Sequence, residues 1–155
     1  MLERYDLGDG SHADLGDIRA LLPTPSAIKA VGFDPHEPRR VFASGVGGIM
    51  QSRDDGASWK ALLLNAESRF FFDLIVDEAA PGTIYTAGWS KIPDEPQPLI
   101  LEITHDDGVT WNRYRHPDQD IYGGVYALLV RDEENEPVLY AGLFRGGVVR
   151  VSKIP

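Results

Sequence analysis

One eight-residue pattern occurs twice in this chain and constrains its fold more than any other feature. Both copies fit Ser/Thr-x-Asp-x-Gly-x-Ser/Thr-Trp, at residues 52–59 and again at residues 104–111. In such a segment the Asp carboxylate can accept backbone N–H groups of its own turn, Gly can adopt a positive φ, and Trp offers a large apolar face. Each copy therefore predicts a tight hairpin turn. The pattern residues are Ser52, Asp54, Gly56, Ser58 and Trp59 in the first copy and Thr104, Asp106, Gly108, Thr110 and Trp111 in the second.

The segments around these turns also repeat. A short apolar stretch ending in Gly occurs at residues 41–45, 84–88 and 138–142, with Phe42, Tyr85 and Tyr140 aligned. Each copy follows an apolar run that ends in Asp and a turn that contains Pro. Strands and turns that recur in this way are typical of repeated β units. A third strand follows the second, and a fourth follows the octapeptide turn. The units cover residues 28–69, 70–124 and 125–155, and the third unit lacks its outer fourth strand.

The N-terminal segment carries a degenerate copy of the turn. Residues 11–22 align with residues 52–63, with Ala13, Leu15 and Ile18 in place of the Asp, Gly and Trp of the pattern. Residues 1–27 are therefore expected to contribute one outer strand, which gives one, four, four and three strands along the chain. Ser152 is expected at the first pattern position of the third unit.

The two octapeptides, with the strands and Asp and Pro turns that precede them, resemble the Asp-box (BNR) repeats of β-propellers. That family includes sialidases, sortilin-type receptor ectodomains, xyloglucan hydrolases and photosystem assembly factors. The resemblance covers nearly the whole chain. It implies an all-β fold of four-stranded antiparallel blades around a central channel, with three blades in this chain, and it implies no single activity.

Three blades are fewer than the four to eight that typically close a propeller. Exposed sheet edges and faces favour pairing with another chain. A two-fold, head-to-tail homodimer would close six blades if the N-terminal strand of each copy completed the last blade of its partner. The alternative is that these residues are part of a longer repeat array.

Composition excludes several classes of function. The chain has 155 residues with 15 Lys and Arg against 24 Asp and Glu, and its net charge of −9 makes general nucleic-acid binding unexpected because phosphates would be repelled. The sequence contains no apolar run of membrane-spanning length and no signal peptide, so a soluble, cytoplasmic protein is the default expectation. The absence of cysteine excludes disulfides, thiol catalysis and thiolate metal sites.

Candidate catalytic and metal-binding residues are scattered. His12, His36, His105 and His116 lack the short spacing of a metal site, so we expect no metal and no cofactor. The turns account for the octapeptide carboxylates, which lack the spacing of a calcium loop. The Arg-Ile-Pro type motif of the sialidase branch is absent, and nothing singles out a carboxylate pair for glycoside hydrolysis. An enzyme is not expected, and the alternative is a glycan-processing hydrolase with its site in the central channel.

The longest insertion, at residues 89–98, points to a binding face. The resemblance implies that ligands contact the loops opposite the Asp boxes, and three prolines stiffen this loop and reduce the entropy lost on binding. We expect a non-catalytic binding or scaffold protein that recognises a protein or a glycan there. A purely structural subunit is a further alternative, in which Trp89 folds onto its own blade. Aromatic and Arg side chains are the usual anchors of an interface, and the candidates are Trp89, Lys91, Arg69, Tyr122, Phe144 and Arg145.

A run of three phenylalanines precedes this insertion, at the start of a predicted innermost strand. Alternation along a strand would direct Phe70 and Phe72 to one side and Phe71 to the other. We expect all three to pack in the core rather than to bind a ligand.

Overall fold

The computed structural model describes residues 3–14, 16, 18–22, 27–64, 69–90, 99–116 and 124–154. Its sheets are all antiparallel, so the all-β expectation is confirmed. The described ranges contain no helix that is long and apolar enough to cross a membrane. Two of the candidate binding residues, Lys91 and Tyr122, lie outside the described residues.

Thirteen strands are described. In chain order they are β1 (Glu3–Tyr5), β2 (His12–Asp14), β3 (Ile28–Phe33), β4 (Val41–Gly45), β5 (Gly48–Ser52), β6 (Lys60–Leu64), β7 (Arg69–Val76), β8 (Ile84–Ser90), β9 (Ile100–Thr104), β10 (Asn112–Arg115), β11 (Val125–Glu133), β12 (Glu136–Leu143) and β13 (Gly147–Val151). Strands β3–β6 form a first large sheet, β7–β10 a second and β11–β13 a third, and in each sheet consecutive strands are neighbours. The predicted four, four and three strands of the repeats are thus confirmed.

The N-terminal segment differs from the expectation. Residues Ile18–Leu21 form a 3-10 helix, so the outer strand predicted there is wrong. A lone strand has no ladder to satisfy its N–H and C=O groups, whereas a 3-10 turn satisfies them locally. Strands β1 and β2 instead pair with each other, a hairpin that the repeat did not predict. Its turn is held by the Asp6 carboxylate, which accepts the N–H of Gly8 at 2.7 Å.

The register of the third sheet corrects the alignment there by one residue. Ser52 pairs with Val41, and Thr104 pairs with Ile84. Their equivalent in the third sheet, when Phe42, Tyr85 and Tyr140 are aligned, is Leu139, and it pairs with Val151. Val151 and not Ser152 therefore occupies the first pattern position. A slip of one residue would reverse the face of every side chain in the strand, and it would remove Val151 from the core that it packs against.

The three large sheets lie side by side with their first strands adjacent. Strand β7 contacts both β3 and β11, so the second sheet lies between the other two. One core lies between the first and second sheets and consists mainly of Phe42, Ile49, Phe71, Leu74, Val76 and Ile84. The other lies between the second and third sheets and contains Tyr85, Ala87, Leu99, Leu101, Ile103, Val125, Leu128, Leu139 and Ala141.

Truncating a side chain in the second core tests this arrangement. Leu101 is fully buried, so Leu101→Ala is expected to lower the free energy of unfolding by about 2 to 5 kcal/mol. Leu7 is almost fully exposed, and Leu7→Ala is expected to change it by less than about 0.5 kcal/mol. Urea unfolding curves measure both values. Equal losses in the two variants would contradict the assignment of Leu101 to the core.

Candidate binding site

The first octapeptide turn is closed by its own side chains. The Ser52 hydroxyl donates to Asp54 Oδ1 at 2.7 Å and accepts the N–H of Gly56 at 2.8 Å. The Asp54 carboxylate also accepts the N–H of Ser58 at 2.8 Å and its hydroxyl at 2.5 Å. The indole Nε1 of Trp59 donates to the Gly56 carbonyl at 2.9 Å, which holds the ring against the turn. Every polar pattern residue therefore has a structural role.

The second turn repeats each of these bonds. Thr104 donates to Asp106 at 2.7 Å and accepts the N–H of Gly108 at 2.9 Å, and Asp106 accepts the N–H of Thr110 at 2.8 Å. Trp111 Nε1 donates to the Gly108 carbonyl at 3.2 Å. The glycine φ angles are 88° in the first turn and 85° in the second, values that favour glycine. The sequence pattern therefore encodes one turn geometry.

The same bonds set the ionisation of the two carboxylates. The hydroxyl and N–H of Ser58 are the main cause that lowers the pKa of Asp54 to about 2, and Thr110 lowers the pKa of Asp106 to about 2 in the same way. A general acid at neutral pH needs a raised pKa instead. The hydrogen bonds of the turn thus account for the low pKa of both aspartates.

Charged side chains join the first and second sheets at the end that carries the octapeptide turns. Asp107, in the second octapeptide turn, accepts hydrogen bonds from Arg40 and Arg53 of the first sheet. Arg40 is buried, and it also donates to Asp34 at 3.1 Å and to Gln51 at 2.9 Å. A buried guanidinium requires such partners, because leaving one charge unpaired inside a protein is costly. We call this group the first-junction network.

The junction between the second and third sheets contains a cavity instead. Its volume is about 690 Å3, and its lining includes Asp77, Tyr85, His105 and Arg131. Thr83 lies at the repeat position of Arg40 and is bonded to His105 at 3.2 Å. The Tyr85 hydroxyl donates to Asp77 at 3.0 Å, and burial raises the pKa of Tyr85. Among the residues that the structure describes, no group of three or more His, Cys, Asp or Glu could hold a metal ion.

Arg69 does not lie on an exposed face, contrary to the prediction that it anchors a ligand. Its side chain is buried and donates to Glu102 at 2.6 Å. Glu102 is buried too, and it also accepts a hydrogen bond from Arg113 at 2.8 Å. The alternation of β7 places Arg69 on the same buried face as Phe71, where the Glu102 carboxylate compensates its charge.

Five aromatic side chains meet at the end of the sheets opposite the octapeptide turns. Ile84 pairs with Thr104 at the turn end of β8, and Trp89 lies at the other end, opposite Phe70. The ring centroid of Trp89 is 4.9 Å from that of Phe144 and 5.1 Å from that of Tyr126. Tyr126 and Phe144 are exposed. We call this group the aromatic cluster, and its members are Phe70, Phe72, Trp89, Tyr126 and Phe144.

A β-bulge near the start of each first strand shapes this cluster. The residues left out of the register in β3, β7 and β11 are Lys29, Phe72 and Tyr126. A bulge bends its strand and re-aims the side chain, often next to a functional site. Phe72 and Tyr126 thereby contact each other across two sheets, with centroids 4.8 Å apart. Core packing is confirmed for Phe71, whereas the predicted core position of Phe70 and Phe72 is wrong because both are half-buried in the cluster.

Two cations flank the aromatic cluster. Lys29 Nζ lies 5.6 Å from the ring centroid of Phe72, and the Arg145 guanidinium lies 5.2 Å from that of Phe144. Cations at such distances are attracted to ring faces. The cluster therefore combines apolar rings with positive charge, although the whole chain is acidic.

Trp89 is the centre of the cluster. It contacts Phe70 and Phe72 of its own sheet as well as Tyr126 and Phe144 of the third sheet. Its Nε1 is buried without a hydrogen-bond partner among the described residues. Gly124 lies against the indole so closely that a Cβ there would be 2.3 Å from Trp89 Cγ. The ring position thus depends on glycine at this place.

The structure brings together three of the six predicted binding residues, Trp89, Phe144 and Arg145. Sequence reasoning missed Tyr126 and Lys29 altogether. One signal could have found part of the cluster, because Phe72 and Tyr126 are aromatic at matching places in two repeats. The β-bulges at these two residues could not be predicted from the sequence pattern.

Comparison with known proteins assigns no family. No protein-family model matches the chain, and a search of curated proteins found no match.

Removing the Ser58 hydroxyl tests the origin of the low pKa of Asp54. Because the folded-state pKa is about 2 and the ordinary value is 3.8, this carboxylate contributes stability that is complete above pH 4 and is lost as the pH falls towards 2. Ser58→Ala removes the largest cause of the shift. It is expected to raise the pKa of Asp54 towards 3.8, to lower stability at pH 7 and to weaken the loss of stability between pH 4 and pH 2.

Carboxyl NMR titration measures the pKa, and urea unfolding across this pH range measures the stability. Asp106 serves as the control inside the same molecule, because it retains Thr110 and its pKa should stay at about 2. An unchanged pKa of Asp54 in Ser58→Ala would contradict the assignment.

Gly124→Ala tests the position of Trp89. The added methyl group would overlap the indole, so we expect the ring to move and the near-ultraviolet circular dichroism of the stacked aromatic residues to weaken. Gly142→Ala is the matched control, since a Cβ there would meet Ala127 at 3.7 Å, an ordinary contact. Identical spectra for both variants would refute this packing.

Proposed function

We propose that this chain is a non-catalytic binding or scaffold protein built from Asp-box β-propeller blades, and that it binds a protein ligand through the aromatic cluster. Two features support blades. The large sheets are antiparallel meanders with adjacent first strands, and the two octapeptide turns join the third and fourth strands of their sheets. Antiparallel sheets repeated in this way around an axis are how propellers are organised.

The exposed aromatic cluster carries the proposal for binding. Aromatic and Arg side chains are enriched at protein interfaces and supply most hot spots. Here Trp89 is held by four neighbouring rings, so little side-chain freedom remains to be lost when a ligand binds. Exposed apolar groups concentrated in one place are uncommon on proteins without a binding partner.

The carboxylates support binding over the alternative, a glycan-processing hydrolase. Such an enzyme commonly holds two carboxyl groups across the scissile bond, with one available as an acid. In the described chain Glu102 is paired with Arg69, and Asp34 with Arg40. Asp54 and Asp106 are bonded within their turns. These acids are therefore engaged in the fold.

The geometry of the rings favours a protein ligand over a glycan. The Trp89 and Phe72 planes differ by 29°, whereas the Trp89 and Tyr126 planes differ by 87°. Mixed orientations leave both edges and faces available, which suits apolar side chains that insert between rings. The cations Lys29 and Arg145 complement acidic residues beside such an anchor.

A peptide-display library and a glycan array, each probed with the 155-residue chain, identify the ligand class. Tyr126→Ala is then expected to raise the Kd of the selected peptide at least about tenfold, because this ring is an exposed member of the cluster. Tyr5→Ala is the matched control, since Tyr5 is an exposed tyrosine of the N-terminal hairpin. Its Kd should equal that of the unaltered chain.

Equal Kd values for all three proteins would refute the aromatic cluster as the binding surface. Binding to glycans alone, if weakened by Tyr126→Ala, would refute the protein ligand while retaining the surface.

A further inference from the structure

The first and third sheets each leave apolar side chains exposed on the face that points away from the second sheet. On the first sheet this face is covered over β4 and β5, where Ala43 and Met50 are buried, and is open over β3. Phe42 points into the core between the first and second sheets. Val31 pairs with Ala43, the next residue of β4, so Val31 points to the opposite face of the first sheet. Val31 is 57% exposed and the nearby Phe33 is 69% exposed. On the far side of the third sheet, Leu129 is 60% exposed and Val148 is 71% exposed.

The repeat shows what normally covers the Val31 position. Val31, Leu74 and Leu128 occupy equivalent places in β3, β7 and β11, because each lies two residues after the bulge of its strand. Leu74 is buried against the first sheet, and Leu128 is buried against the second. Val31 is thus the same contact residue without a preceding sheet.

The repeat also shows what covers the Val148 position, which faces a following sheet instead of a preceding one. Ile49, Leu101 and Val148 pair with equivalent residues of β4, β8 and β12. Ile49 is fully buried against the second sheet, and Leu101 is fully buried against the third. Val148 is the same contact residue without a following sheet.

The chain therefore contains the same sheet-to-sheet contact twice. The exposed Val31 face of the first sheet and the exposed Val148 face of the third sheet are the two halves of a third such contact. Ile49 shares a core with Leu74, and Leu101 shares the other core with Leu128. By the same rule, the Val148 face fits the Val31 face. We propose that a second copy of this chain supplies the match, with the third sheet of each copy packed against the first sheet of the other.

Two copies satisfy both faces at once. A two-fold axis relates the two contacts, so each copy gives one Val148 face and receives one, and no face remains open. The product is a ring of six large sheets, within the range typical of propellers. The same contact without closure would build a filament, which the test below distinguishes.

The N-terminal segment supports this arrangement. Leu22 lies over Gly45 and Gly48, with its methyl carbons 3.5 Å and 3.4 Å from the points that a Cβ on each glycine would occupy. It aligns with Leu63 of β6, which packs against the core between the first and second sheets. Leu22 therefore already lies beside the first sheet as an outer-strand residue of a preceding sheet would. Strand β13, the edge of the third sheet, is the strand that would lie next to it in a partner.

Light scattering coupled to gel filtration tests the ring, using the 155-residue chain. The expected mass is twice 17.1 kDa and constant over concentration. Val31→Asp and Val148→Lys each place an unpaired charge in the contact, and each is expected to raise the dimer Kd by at least about 100-fold. Val109→Asp and Val109→Lys are matched controls at an exposed turn position outside both faces, and they should remain dimeric.

A monomeric or polymeric unaltered chain would overturn the proposal, as would dimers that resist both substitutions. Circular dichroism confirms that each variant is folded. The result is independent of ligand binding, because Tyr126→Ala should remain dimeric even when its binding fails.

Mixing the two variants separates this contact from one in which each face meets its own copy. A dimer of one Val31→Asp chain and one Val148→Lys chain contains one unaltered contact and one in which the two substitutions meet as opposite charges. We expect the mixture to recover the dimer mass that neither variant has alone. Failure to recover it would overturn the pairing of these two faces.

Discussion

In each octapeptide turn one Asp carboxylate accepts the hydrogen bonds that close the turn, and much of the fold depends on these bonds. By accepting the N–H and hydroxyl of the residue four positions later, Asp54 and Asp106 fix where the third strand ends and the fourth begins. This places Trp111 against the core and Gly108 beside Leu62 of the first sheet. The second turn also places Asp107 beside Arg40, so this turn holds the second sheet against the first.

The strands of the large sheets could be predicted because their signals are local. Alternation, turn residues and a repeated pattern all act over a few positions, and three copies of one unit support each other. The 3-10 helix at Ile18–Leu21 could not be predicted, because whether a strand forms there depends on a partner edge rather than on its own residues. The one-residue shift at Val151 was likewise decided by core packing.

The candidate site was predictable only in part for the same reason. Trp89, Phe144 and Arg145 stood out as aromatic and cationic residues of the predicted binding face, and they do meet, although Trp89 lies in strand β8 and not in the predicted insertion. Phe72 and Tyr126 join them through bulges, which arise from the pairing of whole strands. Arg69 failed as a binding residue because burial beside Glu102 is a tertiary property. Residue type indicated that the site would be aromatic and cationic, and the geometry of the sheets decided which residues belong to it.

The two junctions between the large sheets are filled differently at the end that carries the octapeptide turns. Ion pairs among Arg40, Arg53 and Asp107 fill the first junction, whereas a cavity of about 690 Å3 occupies the matching end of the second. The second junction is held mainly by its apolar core. Salt would therefore act mainly on the first junction, where Arg53 and Asp107 are partly exposed, and less on the second, which is held by the apolar side chains of its core.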